Sequence, residues 1–203
     1  MKADQFSAQM VEIMALPPEE RHERMAALHT NIVTEYRAAV EALTDEQAMQ
    51  MVSGGTETRT VAQVVGHIAE WERFAILGAG DMLAGLTHPR MVTSLAGYYE
   101  PDSTAPTFDS IDAFNAYQAA RHAEWPWARI QALALDTATT LHALFTEPRL
   151  LSAARLEATE PFRKRLEDGT RIRNITMGWN LWITVLEHEA VEHANALGLG
   201  GGV

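Results

Sequence analysis

The stretch TVAQVVGHIAEWERF (60–74) opens on a helix start signal and continues with a helical period. The Thr60 hydroxyl is placed to accept from the Gln63 amide while the Gln63 side chain returns to the Thr60 amide, a reciprocal cap that starts a helix here. Measured from His67 at about 100° per residue, Val64, Trp71, Phe74, Gly78 and Met82 fall within about 80° of one another. The helix therefore has one apolar face, His67 lies on it, and the pattern holds to about Leu86. An inward histidine on such a stripe is either hydrogen-bonded in the core or a ligand.

The same period governs most of the chain. A short amphipathic segment covers residues 4–15, and PPEE (17–20) opens a longer helix to Leu43, with proline at its first positions and acids in its first turn. A third helical region is expected from Ser110 to Phe145, kinked or restarted at Pro126, and a last helix from Ile175 to Leu197. The stretch THPRMVTSLAGYYEPDSTAPTFDS (87–110) reads as a long connection, and FRKRLEDGTRIRNIT (162–176) alternates like a small hairpin around Asp168 and Gly169. Four long helices with little strand signal predict an all-α four-helix bundle with an extra short N-terminal helix and a small hairpin before the last helix. Residues 1–197 are expected to form one domain, followed by a disordered glycine-rich tail, 198–203.

Composition narrows the function. The net charge of −11 opposes tracking along a phosphate backbone, so nucleic acid is not an expected partner. The basic hairpin segment reads as a solvated face. With no cysteine, a disulfide framework, a thiolate metal site and a cysteine nucleophile are excluded, and any metal must take nitrogen and oxygen ligands. The first residues lack the apolar run of a signal peptide and no segment is long enough to cross a bilayer, which makes a cytoplasmic protein without a membrane partner the simplest expectation. Met10, Ile13, Tyr98 and Tyr99 offer apolar cover for a second copy, and a homodimer is the commonest assembly.

The last helix carries the densest chemistry, VLEHEAVEHANALG (185–198). On a regular α-helix Glu189 and His193, four apart, share a face with Ile175, Trp179, Trp182, Leu186 and Leu197, whereas His188 diverges from His193 by about 140°. Glu189 and His193 thus face the core. A carboxylate there needs compensation, from a cation, from a buried Glu–His hydrogen bond, or from ordered water. Two antiparallel helices about 8 to 10 Å apart could bring His67, Glu189 and His193 around one cation with coordination positions left open. The near-matches to H-E-x-x-H and H-x-x-E-H fail on spacing, and the E-x-x-H pair Glu19 and His22 falls at an expected exposed helix start. His122 reads as a hydrogen-bonded histidine, and Trp71, Trp179 and Trp182 as core or cavity wall.

RTVAQVVGHIAEWERF resembles the second-helix motif of the DinB-like superfamily, and HEAVEHANAL resembles that family's last-helix motif, where a ligand four residues before a final histidine completes a three-residue metal site. With glutamate at 189 the chain is similar to the subgroup around the metal-binding domain of mycothiol-dependent maleylpyruvate isomerase. The resemblance implies a helical bundle in which His67, Glu189 and His193 hold a divalent ion, zinc or nickel. It further implies a small-molecule substrate, a low-molecular-weight thiol partner and transferase, isomerase or hydrolase activity. Around such a cation His188, Glu192 and Glu70 are candidate supporting groups. A non-enzymatic bundle for ligand binding or stress protection is the alternative.

Overall fold

The computed structural model describes residues 1–52, 59–90, 108 and 110–198. The chain runs α1 (Ala3–Met14), α2 (Pro18–Ala42), α3 (Asp45–Ala48), α4 (Val61–Leu83), α5 (Ile111–His122), α6 (Trp127–Thr146) and α7 (Ala153–Glu157). It continues through β1 (Pro161–Arg165), β2 (Arg171–Thr176) and α8 (Met177–Glu187), then a π-helical turn, His188–Glu192, and a 3-10 turn, Ala194–Leu197. The four long helices α2, α4, α6 and α8 form the bundle: α4 packs on α6 and α8, and α6 packs on α2. No described helix is long and apolar enough to cross a membrane.

The expected elements are present. Pro126 restarts the helix, since α5 ends at His122 and α6 begins at Trp127 with Pro126 as its N-cap residue. The hairpin closes through Leu166 N to the Thr170 carbonyl at 2.8 Å, with Gly169 at φ 87°, a left-handed conformation that suits glycine. Its register slips between Phe162 and Lys164, and Ile172 and Ile175 point into the core. The strands then deliver α8 at a fixed angle: the Met177 amide donates to the Glu160 carbonyl and the Gly178 amide to the Thr159 hydroxyl, both at 2.8 Å. Gly178 is required there, because a Cβ would lie 2.9 Å from the Leu156 backbone.

Most of the core surrounds α8. Trp179 and Trp182 are fully buried, Trp182 stacks on Phe145 at 5.0 Å, and its indole N–H donates to His29 Nδ1 at 3.1 Å. Two expectations need correction. His22 is buried, not exposed, because the start of α2 lies under the end of α6: one ring nitrogen is 2.8 Å from the Leu151 carbonyl, and the ring packs edge-on against Trp182. Met10 and Ile13 are buried too, because α1 turns its apolar face into its own core, so they provide no surface for a partner. The short helices α3 and α7 lie in stretches for which the sequence suggested no element. Tyr98, Tyr99, most of the 87–110 connection and all but Gly198 of the tail lie outside the described residues.

Candidate metal centre

His67 sits two turns into α4, whose start is locked as the sequence dictates: Thr60 Oγ1 accepts from Gln63 N at 3.2 Å and Gln63 Oε1 accepts from Thr60 N at 2.8 Å. The helix face carrying His67 meets α8. Behind it, Gly66 leaves room for His122, whose Nδ1 would lie only 2.5 Å from a Cβ at that position. His122 is hydrogen-bonded, as expected: its Nε2 is 3.0 Å from Glu70, which Arg73 and Arg121 also hold at 3.0 and 2.8 Å. Glu70 therefore belongs to that ion-pair network and not to the histidine centre.

The last helix changes its period where its chemistry lies. After Glu187 the backbone adopts π geometry over His188–Glu192. Such a turn bonds residue i to i+5, so side chains five apart come to share a face. His188 and His193 are five apart, and their rings lie 4.7 Å apart, centroid to centroid. His67 approaches both, at 5.1 Å from His188 and 5.0 Å from His193. The Nε2 atoms of His188 and His67 are 3.3 Å apart, and one nitrogen from each of the three rings falls within 4.8 Å of the others. Among the described residues this is the one group of three potential ligands.

Of the three expected ligands, the fold brings together His67 and His193, and adds His188. The α-helical period at 100° per residue puts His188 on the wrong face; the π turn, which absorbs an extra residue, restores it. Glu189 is buried as expected, but on the inner side of the turn, where its carboxyl faces that of Glu72 rather than joining the ring nitrogens. Neither Glu189 oxygen meets a donor other than the facing Glu72 carboxyl, and burial pushes its pKa up to about 7. Glu72 is also pushed up, first by burial and then by the Glu189 charge, although the Thr137 hydroxyl donates to it. The nearby Tyr36 phenol is raised by burial and by the same two acids.

The electrostatics suit cation binding. Burial, then the neighbouring His193 and His67, hold His188 well below the usual histidine range, so its imidazole is neutral with a lone pair to give. Three imidazoles are a fitting donor set for a divalent ion such as zinc or nickel, and they leave coordination positions open. Glu192, 4.0 Å from His188 and with its side chain 37% exposed, is raised to about 7, first by its partial desolvation and then by Glu187. Lys164 in turn holds Glu187 at 2.8 Å. A cavity of about 240 Å³ between α4, α5 and α8 reaches the histidines, with Trp71, Phe74, Leu181 and Val185 in its walls. A second, of about 220 Å³, shares His67 and Asn115 with it and is lined by Arg59, Gln63 and His122.

Residues 27–189 match the profile of the DinB superfamily. Among solved structures the fold is similar to that of mycothiol-dependent maleylpyruvate isomerase, with a TM-score of 0.52 and 12% identity over 87% of this chain and 59% of that one. A mutant of that isomerase gives a TM-score of 0.54 and 13% identity over 94% and 63%. The chain thus spans about three fifths of that enzyme's length (59% and 63% in the two structures). The colibactin self-resistance protein ClbS, solved in complex with double-stranded DNA, is similar along nearly its whole length, with a TM-score of 0.53 and 10% identity over 90% and 96%. No curated protein matches the chain.

Proposed function

The chain belongs to the DinB superfamily, and from that membership together with the histidine cluster we propose that it is a metal-dependent enzyme acting on a small molecule in the cytoplasm. His67, His188 and His193 are its divalent-metal ligands, with zinc or nickel the suited ions. One observation supports the reading above all: three ring nitrogens from two elements within 4.8 Å of one another at the end of an apolar cavity. A divalent ion bound there supplies Lewis acidity, polarising a substrate oxygen and lowering the pKa of a bound water or thiol. The chain's own residues do the rest. His188 presents a neutral nitrogen, Glu192 is poised near neutrality to hold or release a proton at its carboxylate, and Trp71 and Phe74 keep water from the cavity wall. Transfer or isomerisation with a low-molecular-weight thiol is the reaction class we favour, by analogy with the isomerase of similar fold.

The test is elemental analysis of untagged protein beside the His67→Ala, His188→Ala, His193→Ala and Glu189→Gln variants. About one divalent ion per chain is expected in the parent and in Glu189→Gln, and its loss in each histidine variant. Retention by His188→Ala with loss in Glu189→Gln would return the ligand role to Glu189; retention by all four would overturn the site. A second reading is a non-enzymatic ligand-binding or stress-protection bundle, and the self-resistance role of ClbS, of similar fold, supports the protective part of it. It requires bound ion without turnover of any thiol substrate. Duplex DNA is expected not to shift with this chain at about 0.15 M salt, given the net charge of −11.

A further inference from the structure

We propose that the outer face of the β1–β2 hairpin is a binding site for a compact oligophosphate, a di- or triphosphate group held by Arg163, Arg165, Arg171 and Arg173. The inference is independent of the histidine centre and of the ion proposed for it. Strand alternation turns Phe162 and Lys164 of β1 inward and leaves Arg163 and Arg165 outside. On β2, Ile172 and Ile175 are both buried although three apart, which strict alternation forbids. The register slip resolves this. Arg173 and Asn174 together stand opposite Arg163, Asn174 takes φ 58°, and both residues join Arg171 on the outer face. Arg165 and Arg171 are direct cross-strand partners, a like-charge placement that weakens a hairpin. The four arginines and Asn174 line an open concavity of about 520 Å³.

The fold does not neutralise these charges. The chain has 27 acids to 16 bases, and elsewhere Arg21, Arg37, Arg73, Arg90 and Arg121 each hold a carboxylate. Among the described residues no acid pairs with any of the four hairpin arginines. Asp168, the acid at the turn, is engaged by the Thr170 amide and hydroxyl at 2.8 and 3.1 Å. The face is also held still from behind. Ile172 and Ile175 anchor it in the core, Lys164 reaches Glu187 and Thr184 at 2.8 and 3.1 Å, and the Glu167 amide donates to Glu187 at 2.6 Å. An anion therefore has only side chains to order, not backbone. Each guanidinium offers a planar fork to two oxygens. Forks rising from two strands about 5 Å apart suit a ligand whose oxygens point in several directions, as tetrahedral phosphoryl groups do and a planar carboxylate does not. Compactness follows from the rest of the surface. Five of the 16 basic residues lie in β1 and β2, so the remainder of the chain is strongly acidic. With charges screened beyond about 8 Å at 0.15 M salt, an anion confined to the hairpin feels the arginines. A duplex or an anionic bilayer extends past them over a surface of the opposite net charge.

Calorimetry with sodium tripolyphosphate in magnesium-free buffer at about 0.15 M salt tests the site. Saturable binding is expected, with the same affinity in protein as purified and after chelator treatment. Arg165→Thr with Arg171→Thr replaces the opposed pair by a strand-forming residue, so it is expected to weaken binding roughly tenfold or more while melting at or above the parent's temperature. Should that pair fail to fold, Arg163→Ser with Arg173→Ser decides the matter, with the same loss expected. Arg24→Ser, at an exposed position of α2, is expected to change nothing. Absence of saturable binding, full affinity in the folded hairpin variants, or citrate binding as tightly as tripolyphosphate would each overturn the proposal. Binding lost on chelation would place the anion on an ion at the histidines instead, and would overturn it too. So would tighter binding to a short DNA duplex or to phosphatidylserine vesicles, which would make the face a docking surface for a macromolecule.

Discussion

At the scale of single residues, His67 and His193 were legible because each lies on an apolar stripe where a solvated histidine has no place. The inward direction of Glu189 was equally legible. Its partner was not, since nothing in the spacing says that Glu72, on another helix, supplies the facing carboxyl. His188 was hidden by the assumption of one helical period throughout. A different single residue tests how tightly the centre is built from behind. Gly66→Ala places a Cβ 2.5 Å from His122 Nδ1, and that ring is held by the buried Glu70. Because the ring must move or α4 must shift, the substitution is expected to cost roughly 1 to 3 kcal/mol. Chemical denaturation measures it, and an unchanged midpoint would mean that His122 is free to swing away.

At the scale of elements, patterning found the four long helices, the short first helix, the break at Pro126 and the hairpin. The reasons are local: a stripe, a capping box, a missing amide, a turn at Asp168 and Gly169. Short elements of four or five residues such as α3 and α7 carry too few residues for any period to stand out. The π turn is the same kind of feature, one extra residue absorbed inside a helix, and it makes a specific prediction. In π geometry His188 and His193 share a face five apart; on an α-helix residues four apart do so. Deleting Val191 should therefore relax 188–192 to a regular α-helix and still leave the two histidines together. Metal stoichiometry is expected to survive the deletion, with affinity within about tenfold of the parent given the cost of resettling the turn. Moving the histidine instead, as His193→Ala with Glu192→His in the full-length turn, is expected to abolish binding. The opposite pair of results would mean that the turn does not set the spacing.

At the scale of the whole molecule, buried ionisable groups make stability depend on pH from both sides. Glu189, raised from 4.5 to about 7, and Glu72, also raised well above 4.5, bind protons more tightly folded than unfolded. Stability they permit is complete below the unfolded value of 4.5 and is lost as pH rises toward and past about 7. His29 acts in the other sense. Burial lowers it from 6.5 to about 3, so the unfolded chain takes up the proton first and stability is lost as pH falls below 6.5. His188, lowered in the same direction by burial and its histidine neighbours, adds to that acid-side loss. Between 4.5 and 6.5 the two trends oppose each other, so the metal-free protein should be most stable there and weaken on both sides. Chelator-treated protein denatured in urea at pH 5.5 and 8 is expected to show a lower midpoint at pH 8 with the same slope. Glu72→Gln removes one of the facing acids while keeping an acceptor for Thr137, and should recover roughly 1 to 3 kcal/mol at pH 8 and nothing at pH 5. If the two pH values give one midpoint, or the glutamine variant gains equally at both, the buried acids are not what couples this fold to protons.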